Sequence, residues 1–119
     1  TSVEFELPVL ARSLERASLL THESRNNVVK MTLDVQNQLV KLQGDSPEIG
    51  NVEEEIGFKN LEGEGLTISF NPDYLREALR ASITDSIIMN FTQPLRPFTV
   101  VPAKQDVNFT QLITPVRTF

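Results

Sequence analysis

The residues able to do chemistry in this chain fall in three places. The one histidine, His22, stands beside Glu23 and Ser24. Serine, histidine and a carboxylate are the members of a nucleophilic triad, but a triad is a spatial arrangement, and adjacency along the chain does not supply one. His22 therefore reads as a solvated histidine following a helix. The glutamate run Glu53, Glu54, Glu55 offers hard oxygen ligands for a divalent cation. On a strand, alternate side chains point to opposite faces, so only Glu53 and Glu55 are able to cooperate, and a solvated or interface charge run is the simpler reading. Third, Arg12 and Arg16 are four residues apart, as are Arg76 and Arg80. On a helix that spacing puts each pair on one face. Two readings stay open for the pairs: solubilising charge balanced by Glu15 and Glu77, or a surface that tracks phosphates without reading bases.

Other chemistries lack their residues. Cysteine is absent, which removes disulfides and thiolates and fits a reducing, cytoplasmic setting. There is no glycine loop for phosphate, no zinc-ligand spacing and no nucleophile elbow. No metal or cofactor is expected, and catalysis has little support. Asn90 and Asn108 each open an Asn-x-Thr triplet, and both read as chance matches to the glycosylation acceptor.

The elements that must position these residues follow from periodicity. Residues 3 to 7 alternate loosely and lead into "LPVLARSLERASLL", with Pro8 suited to a first helical turn. Leu7, Leu10, Ala11, Leu14, Ala17 and Ser18 form its apolar stripe, leaving Arg12, Glu15 and Arg16 outside. Leu19 and Leu20 fall off the stripe. In "VVKMTLDV", Val29, Met31, Leu33 and Val35 share a face, and Gln36-Asn37 turn the chain into "QLVKLQ". A further strand lies within residues 52–58. After the glycine-marked turn "EGEG", Leu66 to Phe70 alternate again. "FNPDYLREALRAS" then carries the clearest helix start, with Asn71 as N-cap, Pro72 at the first helical position and Asp73 where a carboxylate meets the positive end of the dipole. Leu75, Ala78, Leu79 and Ser82 face inward. Strands in "SIIMNFT", "PFTVVP" and "FTQLITPV" complete the order β-α-β-β-β-β-α-β-β-β. This is an α+β domain, two helices packed on one face of an antiparallel sheet. No internal repeat is visible.

At 119 residues the chain makes one domain, 1–119. Its apolar fraction of 39% and charged fraction of 23% suit a soluble globular protein, and no apolar run approaches the roughly 20 residues that span a bilayer. The start, "TSVEFELPVL", has neither the basic residues nor the apolar core of a signal peptide and reads as a cut within a longer protein. The net charge of −5 argues against a wholly nucleic-acid-binding surface. The acid is concentrated: Asp45, Glu48, Glu53, Glu54, Glu55, Glu62 and Glu64 stand against the single base Lys59. The end is apolar on both faces of its strand, with Phe109, Gln111 and Ile113 on one side and Leu112, Thr114 and Val116 on the other.

The segments "FNPDYLREALRA", "IIMNFTQPLRPFTVVP" and above all "QLITPVRTF" resemble the C-terminal domain of the bacterial DNA polymerase III beta subunit, the sliding clamp. The likeness runs over essentially the whole chain, and the terminal Pro-x-Arg preceded by "RPF" is its most specific part. It implies the third domain of a head-to-tail homodimer whose six domains ring duplex DNA, with helices lining the hole. Arg12, Arg16, Arg76 and Arg80 would then face DNA phosphates. Leu19 and Leu20 would meet the first domain of the other subunit, with Glu48, Glu53, Glu54 and Glu55 near the same junction facing basic residues. Leu112, Thr114, Pro115, Val116 and Arg117, with Arg96, Pro97 and Phe98 from the neighbouring strand, would wall a pocket for short peptides. Those peptides would come from the polymerase III alpha subunit, the clamp loader and repair proteins. The first two domains, and the far wall of that pocket, are absent from this chain.

Three functions thus compete: a non-enzymatic processivity factor, a free-standing peptide-binding adaptor with no DNA role, and a carboxylate-dependent enzyme using Glu53 and Glu55. Insensitivity of peptide binding to charge reversal at the arginines would favour the second, and a divalent cation at the glutamates the third.

Overall fold

The computed structural model describes residues 1–21, 27–46, 50–82, 84–103 and 110–116. His22, Glu23, Ser24, Glu48, Asn108, Phe109, Arg117 and Phe119 lie outside the described residues. The described elements run β1 (Ser2–Glu6), α1 (Leu7–Thr21), β2 (Val29–Asp34), β3 (Leu39–Ser46), β4 (Gly50–Glu55), β5 (Asn60–Glu62), β6 (Leu66–Phe70), α2 (Pro72–Ala81), β7 (Ser86–Asn90), β8 (Phe98–Pro102) and β9 (Gln111–Ile113).

The α+β class and both helices are as the sequence implies, and the sheet arrangement is richer. The strands form two antiparallel sheets, ordered β5-β1-β7-β8-β9 and β4-β3-β2-β6. Each helix carries the chain from one sheet to the other, so β1 and β2 are separated although consecutive, and so are β6 and β7. The unit β1-α1-β2-β3-β4 and the unit β6-α2-β7-β8-β9 are therefore related by an approximate two-fold exchange, with β5 added at one edge. The repeat exists in topology and has no counterpart in residue identity. β5 is the strand that periodicity missed. It has three residues, one of them inward (Leu61), and it is held by pairing with Ser2–Glu4 of β1.

Alternation places Val29, Met31 and Leu33 of β2, and Ile87 and Met89 of β7, in the core. Phe70 and Phe98 meet edge to face at 5.4 Å, and Phe91 packs on Phe98 at 4.9 Å. Such contacts add about 0.5–1.5 kcal/mol to area burial. The two helices lie side by side, α1 across β2, β3 and β4, and α2 against β9. In α1 the buried residues are Leu10, Ser13, Leu14, Ala17, Ser18 and Thr21. Leu7 and Ala11, expected on the inward stripe, are only partly buried because they border the cleft between the helices. The α2 start is as expected: Asn71 is extended and its Oδ1 accepts from Asp73 N at 2.9 Å, with Pro72 at the first helical position.

Between β2 and β3 the turn uses Asp34, which accepts from both the backbone and side chain of Asn37. Those bonds hold the Asp34 carboxyl below its usual range.

The approach of α1 to β3 depends on Gly44. A Cβ there would sit 2.9 Å from the Ala17 carbonyl oxygen and 3.1 Å from Thr21 Cγ2. Gly44→Ala is expected to force α1 outward at a cost of about 1–3 kcal/mol, read as a lower thermal midpoint. An unchanged melt would mean that the helix yields at no cost.

Candidate docking groove and charged helix surface

The last described residues form one wall of a groove. β9 pairs with β8 in the register Phe98↔Ile113, Thr99↔Leu112, Val100↔Gln111. That register turns Ile113 into the core at 3% exposure and Leu112 outward at 68%. Gln111 Nε2 donates to the Ala78 carbonyl at 2.8 Å, fixing the distance between β9 and α2. Beyond the strand, Val116 N–H donates to the Ser69 carbonyl at 2.7 Å, which ties the tail to β6 of the other sheet. The result is a groove of about 570 Å³ bounded by Tyr74 and Glu77 on α2 and by Gln111–Val116 opposite. Its size suits a short segment carrying a few side-chain anchors. Tyr74, 58% exposed, and Leu112 supply large apolar surface that the domain itself does not cover.

Of the residues expected here, Leu112, Thr114, Pro115 and Val116 come together on this wall. Phe98 does not. It is 1% exposed and packed between Phe70 and Phe91, so the expectation of Phe98 as a pocket residue is corrected: its strand position faces the core. Arg96 and Pro97 are exposed in the turn before β8, where Arg96 N–H donates to the Gln93 carbonyl, and they do not line this groove. Tyr74 and Glu77 were missed. The signal was an aromatic in the first turn of α2, off the inward face of Leu75, Ala78 and Leu79.

A second surface is the helix layer. A cleft of about 290 Å³ between α1 and α2 is lined by Leu7, Ala11, Glu15, Arg76, Leu79 and Arg80. Arg12, Arg16 and Arg80 are exposed. The arginines differ in their partners. Arg16 Nε donates to Glu54 Oε1. Arg76 lies 3.7 Å from Asp73. Among the described residues, Arg12 Nε reaches only the Pro8 carbonyl of its own helix, at 3.5 Å.

A third feature joins the end of α1 to an edge strand. Leu19 is 70% exposed, Leu20 is partly buried, and β4 pairs with β3 on one side only. Glu53 and Glu55 are exposed and share a face, and Glu54 points the other way toward Arg16. Glu53 has Lys41 at 3.6 Å. Among the described residues no group of three or more acids or histidines is placed to hold a metal ion, and no helix is long and apolar enough to cross a membrane.

The chain matches the family model of the DNA polymerase III beta subunit, C-terminal domain, over residues 1–117. It is 45% identical over 118 residues to the beta sliding clamp of Streptococcus pneumoniae, covering 99% of this chain and 31% of that one. The beta sliding clamp of Staphylococcus epidermidis is 45% identical over 107 residues, covering 90% and 28%. The crystal structure of the Streptococcus pneumoniae DNA polymerase III beta chain superposes with a TM-score of 0.94 at 44% identity, covering 98% of this chain and 30% of that chain. That of the Bacillus subtilis DNA polymerase sliding clamp gives 0.91 at 38%, covering 99% and 30%. The chain thus spans under a third of the length of these relatives.

Proposed function

The chain belongs to the family formed by the C-terminal domain of the DNA polymerase III beta subunit, and from that premise we propose that it is the third domain of a ring-shaped sliding clamp. In this reading the ring is a homodimer that encircles duplex DNA, tethers the replicative polymerase and receives short peptides from its partners. It makes and breaks no bonds. The observation that carries the reading is the side-by-side placement of α1 and α2, both of which carry exposed arginines, Arg12 and Arg16 on the first and Arg80 on the second. Phosphates of any sequence satisfy such a surface, which suits a protein that must slide. An adaptor without a DNA role would leave that arrangement unused.

The terminal strands β4 and β9 support the assembly. Each closes one sheet and offers an open edge, a template for pairing with the next domain. Leu19, Leu20 and the acids of β4 occupy the junction between subunits in this reading. The groove bounded by Tyr74, Leu112 and Val116 takes the peptides of the polymerase alpha subunit and the clamp loader.

A topological measurement tests the proposal. The full-length protein, placed on nicked circular plasmid by its clamp loader, should co-elute with the plasmid and leave it when the DNA is linearised. Equal retention on both forms, or none on either, would overturn the ring.

A further inference from the structure

We infer that Arg16 is not a phosphate ligand but the counter-ion that Glu54 requires, and that phosphate contact on this domain falls to Arg12 and Arg80, with Arg76 held in an exchangeable position. The phosphate half of this inference rests on the helix layer facing DNA, as proposed above. The Arg16 half does not.

Glu54 differs from the other acids of β4. Its neighbours on β4, Glu53 and Glu55, are exposed, whereas its own side chain is 22% exposed and turned toward α1. Oε1 accepts from Arg16 Nε. Oε2 is out of contact with solvent and has no hydrogen-bond partner among the described residues. A carboxylate so placed has lost part of its hydration, and Arg16 is its ion-pair partner. The Arg16 side chain is 55% exposed, so the pair is partly solvated and its loss is a modest cost, set by the one carboxylate oxygen that is shut off from water. A DNA phosphate competing for Arg16 would have to displace a carboxylate that already offsets its charge.

Arg76 is in a different situation. Its carboxylate partner Asp73 already accepts at Oδ2 from Asn27 Nδ2 at 2.8 Å, and the Arg76 contact is longer, 3.7 Å, with both groups partly exposed. Asp73 does not depend on Arg76, so exchange for a phosphate is close to neutral. Arg80, at the rim of the cleft between the helices, has no ion-pair or hydrogen-bond partner among the described residues. Arg12 has no carboxylate partner among the described residues: its contact there, 3.5 Å from Nε to the Pro8 carbonyl, is with a neutral group and leaves its charge uncompensated, whereas the charge of Arg16 is offset by Glu54. The spacing that made Arg12 and Arg16 look like a pair therefore conceals two roles. Arg12 is exposed on α1, and Arg16 fastens that helix to the edge strand β4.

Two measurements on the full-length protein separate the roles. Equilibrium binding to a labelled duplex, followed by anisotropy across a salt series, counts phosphate contacts, because each contributes about 0.9 to the slope of log K against log salt. Arg80→Ala and Arg12→Ala should each flatten the slope by about that amount, and Arg16→Ala should leave it unchanged. Thermal melting reads the other role. Arg16→Ala should lower the midpoint, and Arg16→Ala combined with Glu54→Gln should recover most of the loss, since no unpaired charge then remains. A slope that flattens as much for Arg16→Ala as for Arg80→Ala would overturn the inference, as would an unchanged melt for Arg16→Ala. A wild type without salt dependence would overturn the phosphate assignments together with the DNA-facing reading, and the melting pair would still decide whether Arg16 serves Glu54.

Discussion

Val116→Glu is expected to weaken binding of a clamp-binding peptide by about 100-fold or more, some 2.7 kcal/mol, while the thermal midpoint hardly moves. The size of the effect comes from the groove. Its tail wall includes Leu112, Pro115 and Val116, its helix wall carries Tyr74, and the charged residue among its described lining is Glu77. A carboxylate at position 116 would be desolvated against apolar peptide anchors, with an acid as the charged group among the described residues of the groove, at a cost of several kcal/mol. The fold should be spared because Val116 holds its place through its backbone: the N–H to the Ser69 carbonyl survives any side chain. Ile113 and Gln111 anchor the strand independently. Anisotropy of a labelled peptide from the polymerase alpha subunit, run on full-length wild type and variant, reads the result. Equal affinities would show the chain's last residues to be a packed edge and nothing more.

The double variant Leu19→Lys, Leu20→Lys is expected to convert the proposed full-length dimer to monomer at micromolar concentration. Leu19 presents its side chain to solvent from the end of α1, the helix that packs on the edge strand β4. If that corner meets a second subunit, two ammonium groups would have to be buried where apolar contact is required, a penalty of several kcal/mol. Sedimentation velocity decides it, and Leu95→Lys is the control. Leu95 is comparably exposed, at 57%, but stands in the turn between β7 and β8, away from the corner. A dimer that survives the double variant, or one that Leu95→Lys also dissociates, would remove Leu19 and Leu20 from the junction.

The sequence by itself determined the elements other than β5, and the faces of most of them. Asn71, Pro72 and Asp73 announce α2 because capping is local chemistry: an N-cap side chain needs only the backbone two residues on. The alternation Val29, Met31, Leu33 and the outward turn of Leu112 beside inward Ile113 are equally local, since successive strand residues face opposite ways whatever the partner. Half of the groove was legible on that ground, and the rest was not. Periodicity says which face of a strand is apolar but not which strand lies beside it, so a single sheet was expected where the helix crossings divide the strands between two. Phe98 was expected at the pocket and is in the core, because its surroundings are Phe70 and Phe91, residues of other elements. Tyr74 and Glu77 join the groove only because Gln111 holds β9 against α2 across 33 positions of chain. Arg16 separates from Arg12 only because β4 brings Glu54 to it from 38 positions away. Propensity and capping act over three or four residues and can be read along the chain. Pairing, burial and ion-pair choice are set by which apolar faces dock on one another, and that was decided by the tertiary structure alone.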